Sequence, residues 1–168
     1  QTPALPVKGF RYYRVQCKTR VAEPTYLAVL FFDKKNRELD ADVYDRVYPS
    51  GDWTSHELCF RAHPRAKSIC VQMHAPSGHA IAVDDLTVDE IDLRDVARWA
   101  NLAATRAPVL RIKPPAARGE HLPRTTRKLQ QEKTLRIVII GDSICNDVSN
   151  SLFEIVLHRT YPKARVKV

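Results

Sequence analysis

From Phe10 to Ile91 the chain is cut into short runs rich in Val, Ile, Tyr, Phe and Thr, with Pro, Gly, Asn and Asp between them. FRYYRVQCKTRV alternates polar and apolar residues, and TYLAVLFFD is more continuously apolar. DKKNREL is a polar turn, and ADVYDRVYP, TSHELCFRA, KSICVQMHA and HAIAVDDLTVDEI follow. Strands recurring about every 8 to 12 residues, with turn signals between them, predict an antiparallel β-sandwich of jelly-roll type. Successive side chains on a strand point to opposite faces. Tyr13, Val15 and Cys17 are therefore expected in the core, and Arg14, Gln16 and Lys18 on the other face.

The formal net charge of +8 is concentrated in one segment. Residues 93–134 hold 10 Lys/Arg against 3 Asp/Glu, whereas residues 1–92 hold 12 against 13 and residues 135–168 hold 5 against 3. Pro108, Pro114, Pro115 and Pro123 lie in the same basic segment, VLRIKPPAARGEHLPRTTRK, with no interleaved aromatic run on which bases would stack. Residues 93–134 read as a proline-containing linker, either a plain solvated connector or a surface for an anionic partner. Nucleic acid is not expected. LRDVARWANLAATR spaces Leu93, Val96, Ala97, Ala100, Ala103 and Ala104 as a short amphipathic helix does, and TTRKLQQEK offers a further helical turn. No apolar run approaches the ~20 residues that span a bilayer, so no membrane partner is expected. Cys17, Cys59, Cys70 and Cys145 show no C-x-x-C spacing. Cys59 and Cys70 flank HPRAKS, and they either face each other across a hairpin, as suits an oxidising compartment, or are buried thiols.

Residues 135–168 have a different pattern. LRIVII is the unbroken apolar run that a strand buried on both faces of a parallel sheet requires. Gly141 permits a sharp turn, and Asp142 or Ser143 can cap a helix. DVSNSLFEIVLHRTY supplies that helix, with Val148, Leu152, Ile155 and Val156 on one stripe, and ARVKV starts a second strand. This is the opening β-α-β unit of a doubly wound, flavodoxin-like α/β domain, in which reactive groups sit beyond the carboxyl ends of strands. Gly-Asp-Ser is there either a turn with a helix cap, or a nucleophile whose own N–H helps form an oxyanion hole. GDSICNDV lacks the glycine patterns that cradle nucleotide phosphates, and no cofactor is expected for catalysis.

RKLQQEKTLRIVIIGDSICNDVSNSLFEIVLHRTYPKARVKV resembles block I of the SGNH (GDSL-type) hydrolases over roughly residues 125 to 168, including the Tyr-Pro before strand two. The resemblance implies a serine esterase with Ser143 as nucleophile and oxyanion donor, and with Gly141 and Asp142 forming the turn. The family's block I commonly has Gly four residues after the Ser, where this chain has Asp147. The D-x-x-H and the further oxyanion-hole residues of that family would fall after Val168. The 168-residue chain by itself is thus expected to be inactive, with the remainder of the hydrolase domain needed for turnover.

Residues 8–92, through YYRVQCKTRV, LAVLFFDKKNREL, SGDWTSHELCFRAHPRAKSICVQMH and IAVDDLTVDEI, resemble the carbohydrate-binding-module-like sandwiches attached to bacterial polysaccharide enzymes. That resemblance implies sugar stacking on exposed rings. Trp53, Tyr44 and Tyr48 are the candidates, with Tyr12 also available, and each has packing within the sandwich as its alternative. Such modules often use an acidic residue on the closing strand for a structural calcium, a role open to Asp84 and Asp85 unless they are only solvated strand residues. The combined expectation is a secreted or periplasmic esterase that removes acyl groups from polysaccharide. The alternative is a non-catalytic carbohydrate-binding module.

Overall fold

Alternation along the strands decides the N-terminal architecture. A computed structural model describes residues 1–75, 79–106, 122–141 and 152–168. Strands β1 (Leu5–Pro6), β2 (Tyr12–Val21), β3 (Thr25–Phe32), β4 (Glu38–Val47), β5 (Thr54–Arg61), β6 (Ser68–His74) and β7 (Ile81–Ile91) form two sheets of order β1-β6-β3-β4 and β5-β2-β7. Every pairing within them is antiparallel. The protein is thus mainly β, as expected, and the inner faces of the two sheets share one core.

Tyr13, Val15 and Cys17 are buried, and so are Leu58 and Phe60 opposite them on β5. Leu27, Val29 and Phe31 from β3 and Val43 and Val47 from β4 fill the core from the other sheet. Phe60 joins the two layers. Its ring stacks on Tyr13 at 5.8 Å and meets Phe31 edge-on at 5.7 Å. Burying a ring of that size contributes on the order of 2–3 kcal/mol.

Two irregularities keep the apolar residues facing inward. Between Val29 and Phe31 the register to β4 shifts from Val43 to Leu39, a slip of two residues that preserves side-chain phase. Leu39 and Val43 therefore both point into the core. On β7 an extra residue opposes Cys17, so Gln16 pairs with Thr87 while Lys18 pairs with Asp84. Asp85 takes the left-handed backbone conformation that this bulge demands (φ 52°). The phase then flips, so Ile81 before the bulge and Val88 after it both pack on the core, while Val83, opposite Thr19, shares that face and is 42% exposed.

The β3–β4 turn is held by one carboxylate. Asp33 accepts the N–H groups of Lys35 and Arg37 and the Arg37 guanidinium, with Nη2 at 2.7 Å, while Asn36 supplies the positive φ of 57°. The hairpin suggested for Cys59 and Cys70 does not form. β5 and β6 belong to different sheets, and the two thiols lie on opposite outer faces of the sandwich. Cys17, Cys59 and Cys70 are all buried and unbridged. The Cys70 thiol donates to the Thr2 carbonyl at 3.1 Å beneath the N-terminal segment.

Helix α1 (Leu93–Arg106) starts at an Asp92 cap, whose Oδ1 accepts the N–H groups of Arg94 and Asp95. The chain divides after Val96 into two compact units, Gln1–Val96 and Ala97–Val168. In the second unit, helix α2 (Pro123–Gln130) precedes β8 (Thr134–Arg136), and helix α3 (Glu154–Thr160) precedes β9 (Arg165–Lys167). β8 and β9 pair in parallel, as the β-α-β pattern requires. Leu129, Leu135 and Ala164 make a small core there, with Ile137, Leu157, Tyr161 and Val166 packed on it.

LRIVII differs from its expectation of a strand buried on both faces. Strand structure ends at Arg136, the Ile137 N–H makes one more bond to the Lys167 carbonyl, and Val138 and Ile140 stand 79% and 87% exposed. Among the described residues β9 is the one strand paired with β8, and apolar side chains beyond that pair face solvent. Of the predicted helical stripe, Leu152 and Ile155 are buried and Val156 is 60% exposed, while Val148 lies outside the described residues. Leu152 has φ 55°, which breaks the helix before Phe153, so counting four residues from Leu152 does not carry through to Val156.

The Asp33 turn gives a pH prediction. The Arg37 guanidinium and backbone hydrogen bonds lower the Asp33 pKa from 3.8 to about 2. The stability it lends is therefore complete above the ordinary carboxylate range and is lost as pH falls toward 2. Carboxyl-detected NMR titration should find an Asp33 midpoint near that value, and Arg37→Ala should return it toward the ordinary one.

Candidate functional site

Residues of β4 alternate between a buried and an open face. Val43 and Val47 are 7% and 1% exposed, whereas Tyr44, and Tyr48 just past the strand, are 55% and 65% exposed. Arg46 lies between them on the open face, a span of roughly 13 Å at ~3.3 Å per residue. Across the ladder, Tyr26 of β3 is the partner of Arg46, and Ala28 is the partner of Tyr44. Small Ala28 leaves the tyrosines on either side room to approach each other. The Thr25 hydroxyl, donating to the His74 carbonyl, ties this end of β3 to β6.

The result is a connected row in which the Arg46 guanidinium meets Tyr26 and Tyr48, and Tyr44 meets Tyr26. Tyr26 and Tyr44 meet edge to face at 6.0 Å. Arg46 Cζ lies 5.6 Å from the Tyr26 ring centroid and 6.0 Å from that of Tyr48, and its Nη2 donates to Tyr26 Oη at 3.1 Å. Hydrogen bonds with the Tyr26 hydroxyl and then the Tyr48 hydroxyl raise the Arg46 pKa, so the group stays cationic. Chemically, this surface offers aromatic faces, phenolic hydroxyls and a forked cation together. Tyr26 is absent from the sequence candidates. Its signal was the alternation Thr25-Tyr26-Leu27, hidden in a run read as continuously apolar.

Trp53 does not join this row. It is 45% exposed and carries the Arg20 guanidinium over its ring at 5.5 Å. Arg20 projects from the outer face of the other sheet, since its neighbours Thr19 and Val21 are buried. Arg20, Val21, Pro49, Ser50, Gly51 and Ile81 line a cleft of about 530 Å³ at that end of the sandwich. Tyr12 starts β2, half-buried.

The outer face of the β5-β2-β7 sheet is mostly laced by opposite charges. Arg14 reaches Glu57 at 3.8 Å and Asp89 at 3.6 Å, and Lys18 Nζ sits 2.7 Å from Asp85 Oδ2. The last contact bears on calcium. A Ca²⁺ ion wants six to eight oxygen ligands. Asp84 Oδ1 instead accepts the Asp85 N–H, and Asp85 is neutralised by Lys18. Among the described residues no group of three His, Cys, Asp or Glu side chains is placed to hold a metal. Asp84 and Asp85 as arranged do not fit the ion.

Ser143 and Asp142 lie outside the described residues. Gly141 is exposed at the end of the segment that follows β8. Among the described thiols, Cys59 is pushed up to about 12 by burial and then by Glu57, which favours its protonated form. Burial raises Cys17 as well. Among the described residues no helix is long and apolar enough to cross a membrane.

No family model and no curated protein matches the chain. Among solved structures, it is similar to the enzymatically active domain of tailspike protein 4 from bacteriophage CBA120, at 14% identity and a TM-score of 0.47 over 51% of this chain and 12% of that one. It is also similar to the CBM22-1–GH10 modules of Clostridium thermocellum xylanase 10B complexed with xylohexaose, at 18% identity and a TM-score of 0.42 over 51% of this chain and 18% of that one. A third is a family 16 carbohydrate-binding module, at 16% identity and a TM-score of 0.39 over 50% of this chain and 64% of that one. The chain spans less than two thirds of each of these three structures. Similarity at this level says nothing of what this chain binds.

The charge pairing at the β7 bulge predicts indifference to calcium. Neither millimolar Ca²⁺ nor a chelator should move the thermal unfolding midpoint, and a calcium-dependent rise of several degrees would show a ligand set that Asp84 and Asp85 join.

Proposed function

We propose that the sandwich unit is a carbohydrate-binding module that takes polysaccharide on the open face of β3 and β4. The observation that carries this reading is the open-face row of Tyr44, Tyr26, Arg46 and Tyr48, joined by ring and guanidinium contacts. A pyranose ring presents a flat patch of C–H groups to an aromatic face and a rim of hydroxyls to hydrogen-bonding groups beside it. Tyr44 is held edge-on by Tyr26 and Tyr48 by the Arg46 guanidinium, which reduces the side-chain entropy lost on contact. An enclosed cavity is not needed, because an extended chain can lie along the sheet.

The variant carrying both Tyr44→Ala and Tyr48→Ala should bind a retained polysaccharide about tenfold or more weakly, the equivalent of about 1.4 kcal/mol. Its unfolding midpoint should stay put, because both rings are exposed. Affinity electrophoresis against xylan, β-glucan, polygalacturonate and alginate supplies the measurement. Undiminished retention in the double variant would sink the assignment to this face.

A second reading, a serine ester hydrolase acting on acylated polysaccharide, is favoured by the parallel β8–β9 pair with α3 between. In that reading Ser143 is the nucleophile, and it needs a histidine base and a carboxylate within reach. A polypeptide joining this sequence to a segment bearing D-x-x-H should hydrolyse p-nitrophenyl acetate, and Ser143→Ala should remove at least about a hundredfold of that rate. Equal rates for the two would eliminate the reading.

A further inference from the structure

Several cations of the sandwich sit against carboxylates, whereas Arg46 and, on the opposite sheet, Arg20 lie over aromatic rings. On the β5-β2-β7 sheet Arg14 and Lys18 sit against carboxylates, and in the β3–β4 turn Arg37 sits against Asp33. Arg46 does not. Among the described side chains no Asp or Glu oxygen lies within 4.0 Å of its guanidinium, and its neighbours are the rings of Tyr26 and Tyr48. Asp45 accepts the backbone N–H of Arg46 at 2.9 Å, and its charge acts on His56 of β5. Asp42 lies two residues before Tyr44 and makes interactions of its own. His74, the β6 partner of Tyr26, borders the row. A guanidinium has five donors in a planar fork. Hydrogen bonds to the Tyr26 and Tyr48 hydroxyls engage two of them, and the remaining donors can take a ligand.

We propose that this surface selects glycans containing uronic acids, with a sugar ring lying on Tyr44 or Tyr48 and its carboxylate meeting the Arg46 guanidinium. The inference rests on the carbohydrate-binding reading above and narrows it to a substrate class. A planar carboxylate matches the guanidinium fork in shape as well as charge, and such charge-assisted pairs are the stronger hydrogen bonds. Arg46 and both rings are exposed, so the pair forms at the surface and is weakened by salt. A neutral sugar can stack on the same rings but leaves the cation without its counter-charge.

The test compares polygalacturonate and alginate with fully methyl-esterified polygalacturonate, using the full chain in affinity electrophoresis. Wild type should favour the acids by about tenfold or more, and added salt should reduce the preference. Arg46→Gln should bring the ratio close to one while keeping affinity for the ester. Arg20→Gln, which removes the same charge from the opposite sheet, should leave the ratio unchanged, and polyglutamate, an anion without sugar rings, should bind far more weakly than the uronates. Equal binding of acid and ester by wild type overturns the substrate class and leaves general carbohydrate binding standing. The substrate class is overturned equally if the preference survives Arg46→Gln, is lost with Arg20→Gln, or is matched by polyglutamate. Failure to bind any of the glycans overturns both readings. Arg46 is exposed, and an unchanged thermal midpoint for Arg46→Gln assigns its effect to binding.

Discussion

The sandwich depends on aromatic contact between its layers. Phe60 reaches from the β5-β2-β7 sheet to Phe31 in the other sheet and rests on Tyr13 in its own. An antiparallel sheet has two faces and needs one covered, so fixing the inner face by this contact also fixes which side chains face water. Tyr44, Arg46 and Tyr48 are outside because Val43 and Val47 are inside. The open face that carries Tyr44, Arg46 and Tyr48 is in this sense the complement of the core.

Keeping that phase requires local irregularity. A strand of ten or eleven residues accumulates twist, and strict pairing along its whole length would carry apolar groups away from the facing sheet. The β3–β4 slip and the β7 bulge absorb this in different ways, one preserving phase and the other reversing it. The reversal explains why V-D-D-L-T-V can place Val83 and Val88 on one face although they are an odd number of residues apart.

Much of this was legible in the sequence, because period-2 alternation is a local property and the turn residues between the strands are local as well. The six longer strands of the sandwich and the inward set of β2 follow from it, whereas the two-residue β1 at Leu5–Pro6 is too short to show an alternation. Sheet membership does not, since it depends on which strands cross between layers. Cys59 and Cys70 look like hairpin neighbours in sequence and end on opposite outer faces. Tyr26 was missed for a related reason: in TYLAVLFFD the open-face positions are also largely apolar, so alternation is masked. The grouping of Arg46 with three tyrosines is a cross-strand fact that no single segment states. In the second unit the helix boundary at Leu152 rests on one left-handed residue, which spacing cannot register.

β4 is also the outermost strand of its sheet. Such a strand shows unpaired backbone groups along one side and is a template on which another chain can polymerise. Asp42, Asp45 and Arg46 place charge along it, and the slip near Leu39 distorts its straight run. Any neighbouring strand that tried to add there would have to desolvate those ions. The charged residues of this edge strand therefore also protect the sheet from uncontrolled self-association.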